Sequence, residues 1–172
     1  MVAVNEVDIA RALTRIAHEI LERNQGSDNL ALLGIPTGGA HLSKRIANLI
    51  STIEGREIQS GTLDVTLHRD DLRMRAPRAL MPTTIPASGI EGRDVVLIDD
   101  VLFSGRTIRA ALDALGELGR PQTVQLAVLI DRGHRELPIK ADYVGKNLPT
   151  SKSESVQVLL SEVDGRDEVI VG

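Results

Sequence analysis

The chain has no cysteine and no tryptophan, and its aromatic side chains are one tyrosine and one phenylalanine. Without cysteine there are no disulfides and no thiolate chemistry. Without aromatics the core must be built from Leu, Ile, Val and Ala, drawn from the 42% of residues that are hydrophobic. A chain of 172 residues is long enough to bury one full core, and is read as a single domain, 1–172. No apolar run approaches the ~18 residues of a membrane span, and no secretory apolar region opens the sequence. The expectation is therefore a cytoplasmic protein with no membrane partner. Lys and Arg number 20 against 24 acids, a formal charge of −4. That excludes a generally basic coat for nucleic acid and leaves room for a local basic face. The four histidines show no metal-ligand spacing, since His18-Glu19 lacks the second His of a zinc helix. A metal site made by the protein alone is not expected.

The most informative stretch runs from Val95 to Thr107. Val95, Val96, Leu97 and Ile98 form a continuous apolar run, the pattern of a strand buried on both faces. Asp99 and Asp100 stand where that strand ends, and Val101, Leu102, Phe103, Ser104, Gly105 and Arg106 lead into a helical pattern opened by Thr107. Ile108, Leu112, Leu115 and Leu118 mark the apolar side of that helix. A strand's carboxyl end feeding a helix N-terminus is where open α/β sheets bind ligands, with backbone N–H groups and the helix dipole aimed at an anion. Ser104 and Thr107 add hydroxyl donors, and Gly105 lets the backbone close around a phosphate. The two acids cannot hold that phosphate, so they require sugar hydroxyls or a metal riding on a second phosphate group. A phosphorylated ribose carrying a pyrophosphate matches this layout. The alternative is an ordinary βα turn whose Asp and Ser cap a helix.

Elsewhere, Asn5 caps a first helix with the stripe Ile9, Leu13, Ile16, Ala17, Ile20 and Leu21, ended by Gly26. Leu30 to Ile35 reads as a buried strand, followed by the turn Pro36-Thr37-Gly38-Gly39 and a second helix striped by Leu42, Ile46, Leu49 and Ile50. Thr62 to Leu67 is strand-like. Residues 68–86 are polar and basic and read as a mobile lid carrying Arg69, Arg73 and Arg75, or as a solvated charged loop. Strands are expected at Val124 to Ile130, Tyr143-Val144, Val156 to Leu160 and Val169 to Val171, with a charged loop from Asp131 to Pro138. Arg132 in that loop lies on the ligand edge, where it could close over a nucleotide or pair with Asp131. Strands alternating with helices predict an α/β fold, a mostly parallel twisted sheet flanked by helices.

The Val95–Thr107 run resembles the phosphoribosyl-pyrophosphate (PRPP) loop of the type I phosphoribosyltransferases. The resemblance implies a small hood, drawing on about 139–172 and placing Val156 near a base. It implies PRPP binding by Thr37, Gly38, Gly39, the Val95–Thr107 run and Arg132, and catalytic roles for Asp99, Asp100, Arg69 and Arg73. Mg²⁺ is implied as a companion of PRPP.

Further runs extend the resemblance over the whole chain. They are Arg11 through Ile20, Thr66 through Leu72, and Asp131-Arg132-Gly133-His134-Arg135-Glu136-Leu137-Pro138-Ile139 continuing to Asn147. Together they resemble the family of bifunctional pyrimidine-operon regulators with uracil phosphoribosyltransferase activity. The family implies conversion of uracil and PRPP to UMP and pyrophosphate. It also implies binding of the messenger RNA leader of pyrimidine genes in response to UMP or UTP, by a homodimer or higher homo-oligomer. RNA contacts carry over to Thr14, Arg15, His18, Arg23, Arg135, Lys140 and Lys146. The plain alternatives are a nucleotide-salvage transferase whose basic residues only solubilise it, or a regulator that has lost catalysis. One departure bears on activity. The family has Thr-Arg-Gly in the pyrophosphate turn and this chain has Thr37-Gly38-Gly39, which implies weak turnover.

Overall fold

The computed structural model describes residues 1–69 and 83–172; Asp70, Asp71, Arg73 and Arg75 of the expected lid lie outside the described residues. Strand β1 (Val2–Val4) and helix α1 (Glu6–Asn24) lead to β2 (Leu30–Gly34), α2 (Gly38–Glu54) and β3 (Ser60–Thr62). Next come β4 (Asp94–Leu102), α3 (Arg106–Leu118), β5 (Thr123–Asp131) and β6 (Tyr143–Asn147), then β7 (Val156–Leu159), α4 (Ser161–Asp164) and β8 (Glu168–Val171). None of the described helices is long and apolar enough to cross a membrane.

Five strands form an all-parallel sheet in the order β3-β2-β4-β5-β6. Its central strands read as unbroken apolar runs because both faces are covered. Leu30, Leu32, Val96 and Ile98 pack under α1 and α2, while Ala31, Leu33, Val95 and Leu97 face α3. Alternate residues of one strand thus serve two cores. Helix α1 starts where Asn5 Oδ1 accepts the Asp8 N–H at 2.9 Å. It ends in a left-handed Gln25, with the Gly26 N–H donating to Leu21 O at 2.9 Å. Of its expected stripe, Ile9, Leu13, Ile16, Ala17 and Ile20 are buried and Leu21 is partly buried.

Two readings of the pattern are corrected. Thr62 to Leu67 is not a strand: β3 stops at Thr62, and a 3₁₀ turn occupies Thr66–His68. Asp64 Oδ1 takes both the Thr66 N–H and the Thr66 hydroxyl, a local bond that competes with sheet pairing. On α3, Leu112 and Leu118 are exposed, and Ala110, Ala111 and Ala114 join Ile108 and Leu115 against the sheet. Small residues let this helix lie close to the strands, turning the leucines outward. The stretch 139–172 is divided between two sheets. Strand β6 belongs to the parallel sheet, and the second sheet is an antiparallel β1-β8-β7, so the N-terminal strand completes it.

That second sheet is bound to the body by Val4, Leu160 and Val169 in the core and by one arginine. Arg45 on α2 donates from Nε to Glu162 Oε2 at 2.9 Å, and from Nη1 and Nη2 to the two Asp167 carboxylate oxygens, each at 2.8 Å. The Arg45 hydrogen bonds hold Glu162 down at about 2 and also lower Asp167. Both acids are depressed, so the stabilisation is full above the ordinary carboxylate range and is lost as pH falls through about 2 to 4. Arg45→Met should lower stability at pH 7 by about 1–2 kcal/mol, between a surface pair and a buried one. Urea melts of both proteins should converge as pH drops from 5 to 2.5.

Candidate active site

The parallel strands deliver their carboxyl ends to one edge, where β2 turns into α2 and β4 turns into α3. The β2–α2 turn is pressed against β4. A Cβ on Gly39 would lie 2.3 Å from Ile98 O, and one on Gly34 2.3 Å from Gly39 O. The Ile35 N–H donates to Ile98 O at 2.9 Å, holding the two strand ends together just before the acids. The Pro36–Thr37 peptide is cis. Gly38 faces Asp100 so closely that a Cβ there would meet Asp100 Oδ2 at 2.5 Å. An arginine at position 38 would therefore need the Asp100 carboxylate to turn away.

Asp99 is buried, and its Oδ1 accepts the Asp100 N–H at 2.9 Å. Burial pushes its carboxyl well above the usual range, the neighbouring Asp100 charge adds to that, and Arg69 opposes it. Asp100 Oδ1 accepts the Val101 N–H at 2.8 Å. Beyond the acids the chain turns through Gly105, left-handed at φ 96°, into α3. Arg69 hydrogen-bonds the Thr107 hydroxyl, joining the chain after the 3₁₀ turn to the start of α3.

A cavity of about 770 Å³ opens here, lined by Arg69, Asp99, Val101 to Ile108, Arg132, Glu136 and Val156. It gathers most of the expected positions from distant parts of the chain. Val95, Val96, Leu97 and Ile98, expected among the ligand contacts, are instead core residues of β4. They aim the loop and do not reach the cavity. Asp100 sits on the turn side, over Gly38. Arg73 lies outside the described residues. Glu136 was missed; Arg106 Nε donates to its carboxylate at 2.8 Å, and its place in the charged loop after β5 was the available signal.

The far wall holds a buried cation. Arg132 lies over the Phe103 ring, 4.1 Å from its centroid, and Nη2 donates to Ser151 O at 2.9 Å and Glu154 O at 2.7 Å. Its buried Nε–H has no partner among the described residues. Phe103 and Val156 thus give the cavity an apolar wall, with the Arg132 guanidinium packed against the Phe103 ring.

A basic seam runs along α1 and β6. Thr14, Arg15, His18 and Arg23 are exposed on α1, and Lys140 and Lys146 are exposed beyond β5. Arg15 donates to Val144 O and Gly145 O at 3.1 and 2.6 Å and pairs with Glu19. Arg23 pairs with Asp142 at 2.7 Å, and that hydrogen bond raises its pKa. Both guanidinium groups remain about half exposed. A cleft of about 450 Å³ beside Arg15 and Lys146 also takes in Arg11. Arg135 differs from the others, being mostly buried with its donors engaged inside the protein.

Residues 4–162 match the Phosphoribosyl transferase domain family. The bifunctional protein PyrR of Streptomyces coelicolor is 66% identical over 165 residues, covering 96% of this chain and 86% of the relative. The bifunctional protein PyrR of Deinococcus radiodurans is 58% identical over 162 residues, covering 94% and 88%. Among solved structures, the hypoxanthine phosphoribosyltransferase of Trypanosoma cruzi superposes with TM-score 0.72 at 16% identity, covering 99% and 94% of the two chains. A hypoxanthine-guanine phosphoribosyltransferase of Bacillus anthracis gives TM-score 0.68 at 16% identity, covering 87% and 84%. At such identities these two structures speak for the fold alone.

The buried acid makes a separate test of the site. Because Asp99 is raised in the fold, its ionisation disfavours folding above the unfolded carboxylate value of about 4. Asp99→Asn should raise the urea midpoint at pH 7, and the gain should vanish as pH approaches 4.

Proposed function

Since this chain belongs to the phosphoribosyltransferase family, and within it to the bifunctional PyrR proteins, we propose that it regulates pyrimidine genes by binding their leader RNA. It does so in response to uridine nucleotides, and it also converts uracil and PRPP to UMP and pyrophosphate. The observation that carries the catalytic half is the contiguity of three features: the Gly38–Gly39 turn, the Asp99–Asp100 pair and the Ser104–Thr107 loop. The loop takes the 5′-phosphate, the acids take the ribose hydroxyls, and the turn takes the pyrophosphate. The base rests against Phe103 and Val156. Uracil N1 attacks the ribose C1′ as the bond to pyrophosphate breaks, and the N1 proton is lost. The chain contributes position and negative charge beside the developing oxocarbenium centre. Arg69 and Arg73 belong to the closure over the departing pyrophosphate.

Adjacent carboxylates are hard oxygen donors and fit Mg²⁺, but two are too few to cage it. Asp99 and Asp100 would hold an ion arriving with PRPP, which when bound neutralises charge on the pyrophosphate. Gly38 leaves the turn without a guanidinium, so turnover is weak beside family members carrying arginine there. A positioned cation of that kind can supply ~100-fold.

The RNA half rests on the exposed cations of the α1–β6 seam, in a chain whose net charge is negative. A basic face and an acidic edge coexist when separated by more than a Debye length of ~8–10 Å. Single-stranded loop bases are the targets a protein can read, because A-form helices hide their edges in a deep groove. Thr14 and His18 meet bases, while Arg15, Arg23, Lys140 and Lys146 meet phosphates. The partners are leader RNA, PRPP, uracil, UMP and UTP, acting on a homodimer or larger assembly.

Two measurements test the halves separately. Asp99→Asn with Asp100→Asn should abolish measurable PRPP binding in calorimetry, and unchanged affinity removes the acids from the site. Arg15→Gln should weaken binding of the pyrimidine-gene leader transcript and reduce its log–log salt slope by about 0.7. A wild-type chain that turns over uracil yet ignores that transcript would be a salvage enzyme instead.

A further inference from the structure

The phosphate loop is not free on its outer side. The segment 131–139 grips it through three successive carbonyls. Leu102 O accepts the Arg132 N–H at 3.1 Å, Phe103 O accepts Arg135 Nη1 at 3.0 Å, and Ser104 O accepts the Glu136 N–H at 2.9 Å. The inner side of the same loop lines the nucleotide cavity. A phosphate seated within therefore bears on peptide groups whose opposite ends are held by 131–139.

Arg135 is the knot of this arrangement. Besides Phe103 O, its guanidinium donates to Ile139 O at 2.8 Å and to Asp131 Oδ2 at 2.6 Å. Three segments meet on one side chain, whose planar fork of donors suits divergent acceptors. Asp131 lies opposite Asn147 in the sheet, the residue after Lys146 of the basic seam. The turn under Arg135 is left-handed at both Gly133 and His134, φ 80° and 64°, which histidine adopts uncommonly. His134 is held there by Thr150 O and by an edge-on contact with Phe103, ring centroids 6.0 Å apart. The Arg135 hydrogen bond and the Gly133 N–H outweigh burial and keep the Asp131 carboxyl below its usual range, so the clamp is an ion pair at neutral pH.

We propose that segment 131–139 transmits nucleotide occupancy of the phosphate loop to the RNA-binding face, with Arg135 as its positioning residue rather than a phosphate contact. The inference rests on the RNA-regulator reading and adds how its two sites communicate. With Nε, Nη1 and Nη2 each engaged and less of its side chain exposed, Arg135 is less available to an RNA phosphate than the half-exposed cations of the seam. Held in place, it makes the loop carbonyls and the β5–β6 edge move together. Linkage then requires UMP and RNA to tighten each other by one factor.

The test measures the dissociation constant of the pyrimidine-gene leader transcript with and without saturating UMP, across a salt series. Asp131→Asn removes the Arg135 partner while leaving every cation in place. The expected result is that the ratio of the two constants falls to about one, at the wild-type salt slope. Arg135→Gln should do the same, and Arg135→Lys should not restore the ratio, because one ammonium cannot span three divergent acceptors. The proposal is overturned if Asp131→Asn keeps the wild-type ratio. It is equally overturned if Arg135→Gln keeps the ratio and lowers the slope by about 0.7, the mark of a lost phosphate contact. Wild-type protein that fails to bind the transcript would overturn the regulator reading itself, before any variant is compared.

Discussion

The close approach of the β2–α2 turn to the end of β4 is the constraint on which the rest of the site depends. Glycine at 34 and 39 allows backbone to meet backbone where any Cβ would collide. That contact brings the turn to Asp100 and leaves Asp99 desolvated between sheet and loop. A wider gap would admit water, relieve the strain on Asp99 ionisation, and separate the groups that must grip one ligand at once. The fold thus carries an acid whose ionisation is disfavoured by burial, the kind of perturbed group that clusters at functional sites.

Charge is divided between two regions of the surface. The acids lie at the carboxyl edge of β4, and the exposed cations lie along α1 and β6, around a cleft that includes Arg11. Several of those cations are already paired, Arg15 with Glu19 and Arg23 with Asp142, yet remain half exposed. Such pairs are worth little in water and exchange readily for a polyanion, so they orient the side chains without consuming them. Arg132, which is buried, and Arg135, which is partly buried, differ in that several acceptors hold each of them.

The second sheet is an accessory held from two sides. Val4, Leu160 and Val169 contribute to the core, and Arg45 ties Glu162 and Asp167 to α2. Helix α2 begins at the glycine turn after β2, and β7 carries Val156 into the cavity wall. One rigid helix thus relates the two ends of the ligand site.

Much of this was legible in the residues themselves. Unbroken apolar runs such as Val95–Ile98 determine strands covered on both faces, and the intervening 3.6-residue stripes determine helices, which together require a parallel sheet. Two acids and a small-residue turn after such a run mark a candidate site, because their chemistry is local. Tertiary structure decided what depends on distant partners. The strand Val2–Val4 has no pattern of its own and exists because β8 accepts it. Leu112 and Leu118 looked like core, but the sheet selected alanines for close packing. Arg135 and Lys146 look alike as basic residues in sequence, and only Asp131, Ile139 and Phe103 converging on Arg135 distinguish them. Periodicity encodes which face is buried; it carries no record of which carbonyl a guanidinium will find across the fold.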